Sequence, residues 1–133
     1  MRIYVDSNVL ISALQPEPNT VLAANLLNTT VDNTNELISS IIIYAEVLIA
    51  KSPLSKIQEF LDSAPINYKT VDELIIKAAA KLRKNHAGLH LADAIHLATA
   101  IHYSCEHLIT DDKKLLNISE HYLASSTLSK FSF

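Results

Sequence analysis

The 133-residue chain carries 14 carboxylates, and a few of them stand where the surrounding pattern makes a charge expensive. Asp6 closes the apolar run Arg2-Ile-Tyr-Val5 and is followed by Ser-Asn-Val-Leu-Ile. Glu46 interrupts Ile41-Ile-Ile-Tyr-Ala-Glu-Val-Leu-Ile-Ala50, and Asp93 interrupts Leu91-Ala-Asp-Ala-Ile-His-Leu-Ala98. Asp111 and Asp112 follow His107-Leu-Ile-Thr110. Taking an ion out of water costs several kcal/mol unless a partner compensates. Arg2 and Arg83 are the only arginines, so cationic partners are scarce. Carboxylates converging to ~4 Å would repel by about 4 kcal/mol per pair at an effective dielectric near 20. A hard divalent cation relieves that repulsion, and Mg²⁺ and Mn²⁺ favour carboxylate and water oxygens. Each acid also has a plainer reading. Asp6 can accept from amides at the start of the next helix, Glu46 can pair with a lysine, Asp93 can cap its own helix, and Asp112 can belong to an ordinary strand-to-helix turn. Glu17, Asp32, Glu36, Glu59, Asp62, Asp72, Glu73, Glu106 and Glu120 lie in polar surroundings and read as solvated surface acids.

The elements that must position these acids follow from hydrophobic periodicity. Arg2–Val5 suits a buried parallel strand. Helices are expected over Ser7–Leu14, stopped by Gln15-Pro16-Glu17-Pro18, and over Thr20–Leu27, with a polar loop from Thr29 to Asn35. A strand is expected over Glu36–Ser39, with Ser40 as a candidate cap for a buried helix over Ile41–Ala50 that ends at Ser52-Pro53. Further helices read over Leu54–Leu61, Val71–Lys84 and His90–Ser104, and strands over Pro65–Lys69, His107–Thr110 and His121–Ala124. Strands alternating with helices predict an α/β fold, a single domain over residues 1–133 with a mostly parallel central sheet flanked by helices on both faces. In such folds ligands bind beyond the carboxyl ends of the strands, where strand order reverses. Asp6 and the Asp111-Asp112 pair both lie just past such ends.

Composition excludes several classes of protein. A single glycine, Gly88, leaves no room for a Gly-rich phosphate loop or dinucleotide fingerprint. One cysteine closes no internal disulfide and suits a reducing, cytoplasmic setting, with Cys105 read as a small buried hydrophobe. The apolar runs fall well short of the ~20 residues of a membrane span, and the N-terminus lacks a signal-peptide pattern. A net charge of −3 argues weakly against a strongly basic nucleic-acid binder. Lys81, Arg83 and Lys84, or Lys113 and Lys114 beside the acidic turn, could nevertheless meet a phosphate.

Four segments together resemble one family. Ile3-Tyr-Val-Asp-Ser-Asn-Val-Leu-Ile11 looks like the opening strand of PIN-domain nucleases, and Tyr44-Ala-Glu-Val-Leu48 resembles their second motif. Gly88-Leu-His-Leu-Ala-Asp-Ala-Ile-His-Leu-Ala-Thr-Ala100 resembles the third, and Leu108-Ile-Thr-Asp-Asp-Lys-Lys-Leu115 the fourth. Order and spacing agree over nearly the whole chain, and the length suits the small VapC-type toxins of toxin–antitoxin pairs. The resemblance implies that Asp6, Glu46, Asp93 and Asp112 build a metal site. Asp111 occupies a variable position, exchangeable with Asp112 by a one-residue shift of the turn. Asn8 and Thr110 match polar positions that orient a carboxylate or water. The implied activity is an Mg²⁺-dependent endoribonuclease, with Mn²⁺ able to serve, cutting single-stranded regions of RNA to 5′-phosphate and 3′-hydroxyl ends. A homodimer and a cognate antitoxin are implied as well. The segment after Asn117 matches no motif.

Three rival readings compete. An aspartyl phosphatase built on Asp6 needs an acid two residues later, where this chain has Asn8. His90, Asp93 and His96 recur at threes and invite an imidazole-ligated zinc, but no second cluster accompanies them. The resemblance places His96 at a position usually filled by packing residues, histidine included. A catalytically silent scaffold that binds RNA or protein is the non-enzymatic alternative, and the presence of all the matching acids argues against it.

Overall fold

The computed structural model describes residues 1–14, 19–29, 34–48 and 53–132. The expected stop at Gln15–Pro18, most of the Thr29–Asn35 loop with Asp32, and the end of the Ile41–Ala50 helix fall outside them. Five strands form one sheet: β1 (Arg2–Val5), β2 (Glu36–Ser40), β3 (Ile66–Lys69), β4 (His107–Ile109) and β5 (Ala124–Ser126). Their order is β3-β2-β1-β4-β5, and every pairing is parallel. Strand order therefore reverses beside β1, with β2 on one side and β4 on the other.

Alternation along β1 divides the core in two. Ile3 and Val5 face one side, where Leu37 and Ile109 join them under α1 (Ser7–Leu14), α2 (Thr20–Thr29), α3 (Ile43–Val47) and α4 (Leu54–Ser63). Tyr4 faces the other side with Ile38 and Leu108, beneath α5 (Glu73–Asn85), α6 (Leu91–His102) and α7 (Lys113–Ser119). Fully burying each Leu or Ile side chain contributes roughly 1.5–3 kcal/mol, so the central strands are anchored on both faces. Asp72 caps α5 by accepting from the Ile75 amide at 3.0 Å. Gly88, at φ +84°, turns the chain from α5 into α6 and so sets where α6 begins.

Two expectations need correcting. Residues His121–Leu123 do not form a strand; their amides return to the carbonyls of Ile118 and Ser119 and finish α7, and the strand runs over Ala124–Ser126. The Ile41–Ala50 helix is shorter at its start, beginning at Ile43, because the Ile41 amide still bonds to the Lys69 carbonyl of β3. Ser40 accepts from the Ile42 amide at 3.3 Å, just ahead of that helix. The tail closes with a 3₁₀ turn over Leu128–Lys130 whose Leu128 is buried in the first core.

Candidate active site

Asp6 lies at the carboxyl end of β1, only 3% exposed. Its Oδ1 accepts from the Ser7 amide at 2.8 Å. Its Oδ2 accepts from the Thr110 hydroxyl at 2.7 Å and the Asn8 side-chain amide at 3.2 Å. Hydrogen bonds to a charged group contribute about 1.5–3 kcal/mol each, which is how this carboxylate tolerates burial. The plain reading of Asp6, acceptor at the start of the next helix, therefore holds. Asn8 spends its amide on Asp6, which leaves the phosphatase reading without its proton donor.

Thr110, fully buried at the end of β4, also accepts from the Asp112 amide at 3.1 Å. The Asn8 side-chain Oδ1 accepts from the Asp111 backbone amide at 3.3 Å. Asn8 and Thr110 thus stitch the ends of β1 and β4 together at the point of strand reversal.

Glu46 projects from α3 on the far side of β1. Its Oε1 lies 2.5 Å from His96 Nε2, and its Oε2 accepts from the Ser7 hydroxyl at 3.4 Å. Its partner is a histidine rather than the expected lysine. Asp93 sits in the first turn of α6, whose N-cap position is His90 without a side-chain cap bond, so Asp93 does not cap the helix. Burial, reinforced by the charges of Asp6 and Asp112, pushes the Asp93 carboxyl from 3.8 up to about 6, although His96 and His90 pull the other way. Carboxylates from three separate elements therefore feel one another here.

The two adjacent acids after Thr110 part company. Asp112 caps α7, accepting from the Leu115 amide at 3.0 Å, and its charge reaches Asp93. Asp111 turns toward the tail: its Oδ1 accepts from the Leu128 amide at 3.0 Å, and its Oδ2 from Asn19 at 3.5 Å.

Among the described residues no three or more His, Cys, Asp and Glu side chains form a ready-made ion cage. The His90–Asp93–His96 zinc reading fails for a plain reason: His90 is exposed, while His96 turns fully inward to Glu46 and Asp6. The acids fit a hard divalent cation by donor chemistry, being oxygen ligands whose mutual repulsion such an ion would relieve. Tyr4 and His96 were not legible as site residues; the available signal was a polar residue three positions after Asp93, hence on the same helix face. Cys105 is buried, and burial pushes its thiol up to about 12, so it behaves as the inert hydrophobe expected.

The raised Asp93 has a stability consequence. Its ionised form is disfavoured in the folded chain, so the penalty is absent below about pH 3, grows between about pH 4 and about 6, and is complete at about pH 7. A displacement of that size is worth about 3 kcal/mol unscreened. Solvent screening at this half-buried position reduces it to about 1–2 kcal/mol. Chelator-treated Asp93→Asn should therefore be more stable than wild type at about pH 7 and equal to it at about pH 3, as read by denaturant melts.

Comparison with known proteins agrees with this layout. Residues 3–120 match the family model for the PIN domain. No curated protein matches the sequence. Among solved structures, a toxin–antitoxin complex from Klebsiella pneumoniae is similar at 26% identity, covering 84% of this chain and 88% of that one, with a TM-score of 0.65. VapBC2 from Rickettsia felis, bound to a DNA fragment from its promoter, shares the fold at 20% identity, with coverage of 96% and 98% and a TM-score of 0.73. VapBC-1 from nontypeable Haemophilus influenzae does so at 19% identity, with coverage of 98% and 100% and a TM-score of 0.69. With the family match running from Ile3 to Glu120, and the acids gathered where β1 and β4 end, the chain belongs to the PIN-domain family.

Proposed function

We propose that this protein is the toxin of a toxin–antitoxin pair, an endoribonuclease that uses Mg²⁺, or Mn²⁺ in its place, to hydrolyse phosphodiester bonds in single-stranded RNA. The observation that carries this reading is the convergence at the point of strand reversal: Thr110 joins Asp6 to the Asp112 turn, and His96, one turn after Asp93 on α6, reaches both Asp6 and Glu46. Asp6, Glu46, Asp93 and Asp112 would hold the cation. Asn8 and Thr110 fix the Asp6 oxygens, so that this carboxylate needs no reorganisation when it binds. A divalent cation held there supplies charge stabilisation at the scissile phosphate and activates a water. Lys113, exposed at the start of α7 next to Asp112, is placed to meet the RNA backbone. Lys114 instead donates to the Gly88 carbonyl at 3.0 Å and helps hold the turn into α6.

The likeness to the Klebsiella pneumoniae toxin–antitoxin complex supports a cognate antitoxin as partner, and the family resemblance supports a homodimer. We place the protein in the cytoplasm, working as one domain over residues 1–133. No helix among the described residues is long and apolar enough to cross a membrane. A silent scaffold draws on one observation, the lack of a ready-made ion cage among the described residues. RNA cleavage that stops with chelator and returns with Mn²⁺ separates the two readings.

The turn after β4 offers a finer test. Asn keeps the N-cap role, so Asp112→Asn should fold normally yet lose most cation-dependent cleavage. Asp111→Asn should keep most of its cleavage, and Asp111→Ala should cost about 1 kcal/mol by releasing the Leu128 amide. Single-turnover rates at matched Mn²⁺, with melts of the same proteins, check both; the reverse ranking would move the fourth acid to Asp111.

A further inference from the structure

Beneath the acids lie two polar side chains at 0% exposure, Tyr4 and His96. Tyr4 precedes Asp6 by two positions and so points to the same side of the sheet. The Tyr4 hydroxyl stands 2.5 Å from His96 Nδ1. His96 Nε2 stands 2.5 Å from Glu46 Oε1 and 3.5 Å from Asp6 Oδ1. An ionised carboxylate only accepts, so Nε2 carries a hydrogen. With Nε2 donating, the neutral ring leaves Nδ1 to accept, and the Tyr4 hydroxyl donates to it. A side chain present only to fill the core would be aliphatic, since a buried imidazole is costly unless both nitrogens find partners. Here one partner is a site carboxylate that belongs to the opposite helical layer. Glu46 rises from α3, packed with the first core, whereas His96 hangs from α6 in the second.

We propose that His96 is a positioning residue for the nuclease reaction: braced by Tyr4, it fixes the Glu46 carboxylate beside Asp6 and thereby sets the site's affinity for a divalent cation. The proposal rests on the reading of Glu46 as a cation-holding acid. The Ser7 hydroxyl, at 3.4 Å from the other Glu46 oxygen, is too distant to hold that side chain alone.

The test measures the Mn²⁺ dissociation constant, by Mn²⁺ electron paramagnetic resonance, and RNA cleavage for wild type, His96→Leu, His96→Gln and Asp93→Asn. His96→Leu keeps bulk but removes the donor, and both Mn²⁺ affinity and cleavage should fall about 10–100-fold. The amide of His96→Gln can donate to Glu46 and should recover most of both. Wild-type Mn²⁺ affinity in folded His96→Leu overturns the proposal, as does an equal loss in folded His96→Leu and His96→Gln, which would make the residue a packing group. If His96→Leu does not fold, Tyr4→Phe, which removes only the brace, decides: weakened Mn²⁺ binding supports the proposal and unchanged binding overturns it. If Asp93→Asn abolishes cleavage while His96→Leu changes nothing, the role of His96 alone fails. If Asp93→Asn cleaves and binds Mn²⁺ like wild type, the reading of the whole site fails instead.

Discussion

Asp93→Asn should fold, and should cut RNA at least two to three orders of magnitude more slowly than wild type. The exchange keeps shape and removes one charge. Cation-assisted stabilisation of phosphoryl charge is worth several kcal/mol, and each 1.36 kcal/mol is tenfold in rate. The same substitution removes a charge that burial, and then the nearby Asp6 and Asp112, disfavour, so chelator-treated protein gains stability at about pH 7. Activity and stability thus move in opposite directions, the pattern of a residue held in place by function against its own folding cost. Single-turnover cleavage and denaturant melts of one preparation measure both. Undiminished cleavage by the folded mutant would put the chemistry elsewhere.

The second large effect concerns Asp6, and it distinguishes charge from scaffolding. Asp6→Ala leaves the Ser7 amide, the Thr110 hydroxyl and the Asn8 amide without their acceptor. Unpaired buried donors cost about 1–3 kcal/mol each. Ser7 and Asn8 are only half-buried and water can reach them, so the total loss should be roughly 3–5 kcal/mol, a large share of the roughly 5–15 kcal/mol that holds a typical domain. Asp6→Asn retains one acceptor oxygen and should fold far better, but it lacks the charge. Mn²⁺ at a hundred times its dissociation constant should stabilise wild type by about 2.7 kcal/mol. That gain should nearly vanish in Asp6→Asn. Equal Mn²⁺-induced rises in melting temperature for wild type and Asp6→Asn would remove Asp6 from the cation site.

Much of this layout is legible in the residues, for identifiable physical reasons. Ile3-Tyr-Val5, Leu37-Ile38 and Leu108-Ile109 are buried on both faces of the sheet, so their strands read as unbroken apolar runs. The acids stand out for the complementary reason, being charges inside or at the end of such runs. β5 escaped because Ala124-Ser-Ser126 is a short edge strand of small polar residues, with no apolar signal to place it. Residue type does not separate Asp111 from Asp112, and only the resemblance, by its spacing from Thr110, favours Asp112. Their roles depend on where the tail goes, and the bond from the Leu128 amide to Asp111 is a contact across 17 residues. His96 was hidden because its meaning lies in its partners. In the chain it is one polar residue among alanines and leucines, and only the fold brings it against Tyr4 and Glu46, 92 and 50 positions away.

The most direct test is cleavage of a single-stranded RNA by the purified protein, followed with EDTA and then with Mn²⁺ restored, alongside Asp93→Asn purified identically. The account predicts cleavage by wild type that stops with EDTA and returns with Mn²⁺, and none above background by Asp93→Asn. Cleavage that persists in EDTA, or that Asp93→Asn performs at the wild-type rate, would contradict it.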